Sequence, residues 1–405
     1  MRILFVHQNY PGQFLHLAPA LEARGHQVLA ITSEDNKRGF RLPHMRYRFQ
    51  EPEMKGLGAA YSIAARRGAA AAMTAGKLRE KHGFVPDVIF GHPGWGETLF
   101  LKEVFPEARL LTYAEFYYSA TGLDCGFDPE LGALDLPRRI MTASRRAHLL
   151  QALADSDAAL APTEWQASTF PADLRGKIRV IHDGIDTGKV RPDPGARFAV
   201  PGGPELKAGD EVLTFVNRNL EPYRGYHVFL RALPEVLKAR PEAQVVIVGG
   251  DGCSYSPLPG AGRNWKEIFL SEVADRLDLS RVHFVGNLPY GDYLSVLQIS
   301  RVHAYLTYPF VLSWSLLEAM SAGCNILGSA TPPVQEVVAD GATGRLVDFF
   351  DVAGWAAAMT KELADPEAAA PRRQAARAHV VRHYDLETVC LPRLVDFVEG
   401  AARPA

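Results

Sequence analysis

Cysteine is scarce in this chain, four among 405 residues, and no two of Cys125, Cys253, Cys324 and Cys390 stand at Cys-x-x-Cys spacing. That excludes a disulfide framework and a thiolate zinc site, and makes them packing residues of a reduced compartment. No run approaches the roughly 20 apolar residues of a membrane span, and no basic start leads into an apolar signal segment. The expected location is the cytoplasm, or the inner face of a membrane held peripherally. Neither sign of charge dominates, since 44 Lys and Arg face 46 Asp and Glu for a net charge of -2. A partnership with nucleic acid is therefore not expected. The first strand-to-helix loop, QNYPGQ, lacks Gly-x-Gly-x-x-Gly and has Gly12 alone, which argues against a dinucleotide dehydrogenase. No cluster of metal-ligand residues is visible, so neither a metal nor another cofactor is expected.

What the chain has is an alternation of apolar strands and helical patterns, long enough for two domains. RILFVH reads as a buried strand, followed by a helix with Phe14, Leu17, Ala18 and Leu21 at helical spacing. Gly25 ends that helix, HQVLAIT supplies the next strand, and Pro19 predicts a kink. An Ala-rich helix over 59–81 precedes the strand PDVIFGH, and a further helix is expected over 138–153. Pro192, Pro194 and the polar run to Glu211 mark a boundary. The division is a first domain over 1–190, a linker over 191–210 and a second α/β domain over 211–385 that opens at EVLTFVNR.

Candidate site residues cluster where α/β proteins bind ligands, beyond the carboxyl ends of strands. His92 ends its strand inside GHPGWGE, and Glu115 follows the strand in ARLLTYAEFYY. The stretch VHAYLTYPFVLSWSLLEAMSAGCNILG over 302–328 reads as strand, turn and helix, with Gly323 as the stop. Ser313 and Ser315 fall in the helix's first turn, whose free N–H groups and positive dipole end suit an anion. Glu318 lies too far in to cap. It is either a solvated helix glutamate or an acceptor for two neighbouring hydroxyls, such as those of a ribose. Arg218 and Arg224 flank the turn between a strand and a helix, a placement that suits a diphosphate. Residues 37–49 interleave five cations with five large apolar side chains. They are either a loop into a half-exposed strand or a surface for an anionic lipid or acceptor.

LSWSLLEAMSAGCNILGSATPPVQEVVADGATGRLVDFFD resembles the donor-site signature of the retaining family 4 glycosyltransferases, also called group 1 enzymes. The resemblance implies a GT-B fold, two Rossmann-like parallel-sheet domains facing each other across a deep cleft, with a C-terminal helix near 386–400 packed back on the first. It implies a sugar moved from a nucleoside diphosphate to a glycan, lipid-linked or small-molecule acceptor. Glu318 matches the second glutamate of the family's pair, whereas Phe310 stands at the first, the position linked to the donor sugar. Donor contacts are then expected from Gly12, Arg218, Arg224, Gly250, Leu312, Ser313, Trp314, Ser315 and Glu318. Trp95, Glu97 and Tyr117 are expected at the acceptor. Ala114 stands where the family carries a histidine, which leaves Glu115 or His92 to assist the acceptor, with Arg218 and Arg224 on the leaving diphosphate. A sugar-nucleotide epimerase, a phosphorylase and a non-catalytic sugar-nucleotide binder are the alternatives on this fold.

Overall fold

In the computed structural model, residues 1–260 and 262–401 are described. The chain divides into two units, one of Met1–Gly184 with Glu387–Ala405, the other of Ile185–Leu386.

The sheet of the first unit contains β1 (Arg2–Val6), β2 (Gln27–Ser33), β3 (His44–Tyr47), β4 (Val88–Gly91), β5 (Arg109–Tyr113), β6 (Ala158–Ala161) and β7 (Ile178–Val180). Their order is β3-β2-β1-β4-β5-β6-β7, and every pair is parallel. Successive residues Ile3, Leu4, Phe5 and Val6 are all apolar because both sheet faces are covered. Phe5 packs with Phe14 and Phe90, while Leu4 packs with Ala71 and Leu78. Strand order reverses between β1 and β4, in the register Val6 to Gly91, so a crevice opens at those carboxyl ends.

Two expectations change in this unit, and the reading of 37–49 as a loop into a half-exposed strand holds. The helix after the first loop begins only at Leu17, which puts Pro19 in its first turn, where its missing N–H has no helical partner to lose. The helical pattern over 138–153 divides into Leu136–Arg145 and Ala147–Asp155, joined at Arg146, whose backbone (φ -89°, ψ -5°) departs from helical values. The basic segment 37–49 contributes edge strand β3, and its arginines are engaged locally. Arg41 pairs with Glu22, Arg48 with Glu34, and Arg46 donates to the Asn36 carbonyl.

Helix Leu391–Ala401 belongs to the first unit, with Leu394, Val395, Phe397 and Val398 buried in the core of Ile3, Phe5 and Phe14. Phe397 meets Phe90 edge-on at 5.8 Å, and Glu399 pairs with Arg24 at 2.7 Å. Fully burying such a side chain contributes about 1.5–3 kcal/mol.

The second unit begins with a hairpin of β8 (Arg197–Ala199) and β9 (Glu205–Lys207). The run 191–210 is thus not a bare linker. Its Ala196, Phe198, Val200 and Leu206 alternate with exposed residues and enter the core of this unit, a strand period set among prolines and glycines. The sheet follows with β10 (Val212–Asn219), β11 (Gln244–Gly250), β12 (Val282–Gly286), β13 (Val302–Tyr305), β14 (Asn325–Ser329) and β15 (Arg345–Val347). The order β12-β11-β10-β13-β14-β15 is parallel throughout and reverses between β10 and β13.

Candidate active site

The reversal point of the second sheet is where Arg224 sits. It closes the 3-10 turn Pro222–Arg224 after β10, and Gly225 follows at φ +68°, where a Cβ would lie 2.3 Å from the Leu306 Cβ. Only glycine fits that turn against the end of β13. Arg224 is 6% exposed. Its Nη1 donates to the Thr307 hydroxyl at 2.8 Å and to the Val311 carbonyl at 3.0 Å, and the guanidinium lies 5.2 Å from the Tyr255 ring centre and 5.8 Å from that of Phe310. Among the described residues no carboxylate pairs with it. The nearest acidic neighbour in sequence, the fully buried Glu221, gives its oxygens to the amides of Ser254, Tyr255 and Ser256 at 2.7–3.1 Å. A buried guanidinium held only by neutral groups and aromatic faces carries uncompensated positive charge, which an anion would neutralise.

Arg218 lies near the end of β10 and is exposed, with no ion pair among the described residues. Gly250 ends β11, where a Cβ would come 2.9 Å from both Asn219 Oδ1 and Asn287 Nδ2. Helix Trp314–Ser321 starts at Ser313, whose Oγ accepts from the Ser315 amide at 3.4 Å and from the Ser315 hydroxyl at 3.0 Å. Two of the expected donor contacts are altered by this packing. The Leu312 side chain is buried in the core, and the Ser313 amide donates to the Tyr305 hydroxyl at 2.9 Å, so neither that side chain nor that amide stands open to an anion. Trp314 is exposed at the first helical position.

Glu318 is not a solvated helix glutamate. Its Oε1 accepts from Tyr290 at 2.8 Å and its Oε2 from Tyr293 at 2.6 Å, both on helix Tyr290–Ile299. Burial pushes its carboxyl above the ordinary range, and the two phenol hydrogen bonds oppose that rise. Each carboxylate oxygen retains a lone pair for another donor. Tyr290 and Tyr293 went unnoticed in the sequence because they lie more than twenty residues from Glu318.

In the first unit, the reversal between β1 and β4 brings together His7, Gln13, His92 and Glu115. The His7 Nδ1 accepts the Asn9 amide at 2.8 Å, its Nε2 meets Gln13 Oε1 at 2.9 Å, and Gln13 Nε2 donates to Glu115 Oε1 at 3.1 Å. His92 Nδ1 accepts the Gly94 amide at 3.1 Å, and its Nε2 lies 3.5 Å from Glu115 Oε2. The Glu115 carbonyl accepts from the fully buried Gln166 at 2.7 Å. Burial and, next, repulsion from His92 push the His7 imidazole well below the ordinary histidine range. His92 and Glu115 also line a cavity of about 40 Å³ with Thr112, Tyr113, Phe116 and Tyr118.

Gly12 belongs to this cluster by contact. At φ +50° a Cβ there would lie 2.5 Å from His7 Nε2, so the histidine by itself requires a glycine at this position. Trp95 packs 5.0 Å from the His92 ring and 5.5 Å from that of His7. Glu97 is misplaced by the sequence reading. It is fully buried, accepts from Tyr47 at 2.6 Å, and burial raises its carboxyl above the ordinary range, which makes it a core residue behind β4. Tyr117 is nearly buried, with its ring against Phe170 and under the Arg146 guanidinium. His7 and Gln13 were missed, although both flank Gly12 in the one glycine-bearing loop after β1.

Two α/β units, each built on an all-parallel main sheet with a polar cluster at its reversal point, have the architecture of the GT-B fold. The model described as glycosyl transferase family 4 group matches residues 24–190, and that of glycosyl transferases group 1 matches residues 202–379. Together they run over most of the chain, which carries a glycosyl transferase family 4 domain followed by a group 1 glycosyltransferase domain. D-inositol 3-phosphate glycosyltransferase of Nocardia farcinica is 31% identical over 229 residues, 55% of this chain and 48% of that protein. The match thus spans about half the length of such curated relatives. Among solved structures, sucrose-phosphate synthase from Thermosynechococcus elongatus is similar in fold at a TM-score of 0.70 and 19% identity, over 99% of this chain and 100% of the other. Anabaena Alr3699/HepE in complex with UDP and glucose follows at 0.68 and 15%, with the same coverage.

Proposed function

We propose that this chain transfers a sugar from a nucleoside diphosphate to an acceptor hydroxyl with retention of anomeric configuration. The observation that carries this reading is Arg224, a buried cation without a carboxylate partner among the described residues, at the reversal point of a parallel sheet. The diphosphate is the anion that it fits, with the exposed Arg218 as a second cation and Glu318 receiving the ribose hydroxyls. The UDP held by Alr3699/HepE makes a uridine nucleotide a first candidate.

In the reaction, the anomeric carbon's bond to the diphosphate oxygen breaks and the leaving oxygen keeps the electron pair. The acceptor oxygen bonds to the same carbon on the face that the diphosphate leaves, and its proton passes to the Glu115 carboxylate. Arg224 and Arg218 stabilise the charge that develops on the diphosphate, the work a metal ion does elsewhere. His92 supports this division of labour. With Nδ1 accepting the Gly94 amide, the neutral ring carries its proton on Nε2, facing Glu115, so it is a donor at that point. The acceptor class is a glycan, a lipid-linked or a small-molecule hydroxyl.

A thermal-shift screen across UDP, ADP, GDP and their hexose conjugates tests the reading. A ligand at 100 times its dissociation constant adds about 2.7 kcal/mol of stability. No stabilisation by any of them would refute it. Product analysis then separates transfer from epimerisation, which needs no acceptor, from phosphorolysis, which needs free phosphate, and from binding without turnover.

A further inference from the structure

Glu115 stands at the end of a chain of hydrogen bonds whose direction is set three residues away. The Asn9 amide donates to His7 Nδ1 at 2.8 Å, so the neutral ring must carry its proton on Nε2. That proton can reach only the carbonyl side of Gln13, at 2.9 Å, and the amide is thereby turned with its NH2 toward Glu115, at 3.1 Å. Were His7 in the other tautomer, Gln13 would turn over and oppose its oxygen to a carboxylate. Burial and the neighbouring His92 keep His7 neutral, and Gly12 leaves no side chain to separate ring from amide. The Gln166 bond to the Glu115 carbonyl fixes the backbone at the same place, at 2.7 Å.

We propose that Gln13, oriented by His7, is a positioning residue that caps one oxygen of Glu115 and turns the other, beside His92 Nε2, toward the acceptor hydroxyl. This rests on the reading that Glu115 takes the acceptor's proton. The carboxylate side chain is 35% exposed and keeps access to substrate, while its rotation is restricted by a donor that itself has one permitted orientation. Holding a general base in its reactive geometry is worth about ten- to a hundredfold in rate when a neighbour's loss lets it drift by an ångström.

The test uses Gln13→Ala and Gln13→Glu in the full chain, each alone and combined with Glu115→Gln. Turnover is measured with the sugar nucleotide that stabilises the wild type most, among the UDP, ADP and GDP hexoses. Gln13→Ala is expected to lower kcat about ten- to a hundredfold with the donor KM unchanged, and to cost nothing further once Glu115 is glutamine. Gln13→Glu places a like charge beside Glu115, which disfavours its ionised form, so the acidic limb of the kcat profile moves up by about one pH unit. An equal loss from Gln13→Ala in both backgrounds, or an unmoved acidic limb, overturns the proposal. Wild-type turnover by Glu115→Gln instead removes the reading beneath it. Imidazole nitrogen NMR of the unsubstituted chain is an independent check, because a proton on His7 Nδ1 overturns the proposal whether or not the variants fold.

Discussion

Replacing Arg224 by glutamine removes one positive charge while keeping an amide donor for the Thr307 hydroxyl or the Val311 carbonyl, which the guanidinium now serves at 2.8 and 3.0 Å. Two opposing terms act on the unliganded chain. One hydrogen bond to a neutral acceptor is lost, worth about 0.5–1.5 kcal/mol, and the desolvation of a buried cation is relieved, which is of similar or larger size. Stability should therefore fall by no more than about 1 kcal/mol. Diphosphate binding has no such compensation. Losing hydrogen bonds to a charged group costs about 1.5–3 kcal/mol, or roughly 10- to 150-fold in dissociation constant. Calorimetric titration with UDP and uridine, or the ADP and GDP pairs, separates the cases, because the nucleoside makes no phosphate contact and should bind both proteins alike. The reasoning is refuted by equal losses for nucleoside and diphosphate. It is refuted as well by a variant that unfolds several kcal/mol sooner without ligand, since Arg224 would then be a structural residue.

Glu115→Gln should lower turnover by about 100- to 10,000-fold, the usual worth of general-base catalysis, with donor affinity unchanged, while His92→Ala should lose less; the reverse ranking in steady-state kinetics would exchange their roles. Tyr293→Phe removes one of the two phenol bonds that oppose the raised pKa of Glu318, so the carboxyl should protonate at higher pH than in the wild type. Preference for UDP over 2'-deoxy-UDP, which needs the ionised carboxylate, should then fade at a higher pH as acid is added; identical pH profiles would make the tyrosine a packing residue. Saturating EDTA should leave transfer rates unchanged, and activity abolished by chelation and restored by a divalent ion would replace the arginine account.

The parts of the fold that were legible in the sequence are those whose signal is local. Val212 to Val216 and Val302 to Leu306 are buried at every position, and apolar at all but Thr214 and His303, because parallel strands are covered on both faces, and such runs are easily seen. The hairpin over 197–207 was not seen, because its strands are three residues long and the turn between them is Pro201-Gly202-Gly203-Pro204. Near the reversal points, residue type and position beyond a strand end sufficed to place Arg224, Glu115 and His92 at the ends of their strands. Side-chain direction did not follow from sequence. Glu97 stands two residues from Trp95, yet it points into the core toward Tyr47, and the chain gives no hint of that without the partner's position. Tyr290 and Tyr293 were invisible for the related reason that a hydrogen bond between helices has no sequence period.

Helix Leu391–Ala401 has a consequence for the order in which the protein is made. The second unit is contiguous and can form its sheet as soon as Leu386 has left the ribosome. The first unit is complete only when Phe397 and Val398 arrive to cover Phe90 and Ile3, about 200 residues after Gly184. At roughly 5–20 residues per second, its seven-stranded sheet waits about 10–40 s with one apolar flank uncovered. During that interval, the nascent first unit is the part exposed to chaperones and to misassociation, and a chain cut short before Leu391 would hold that state permanently.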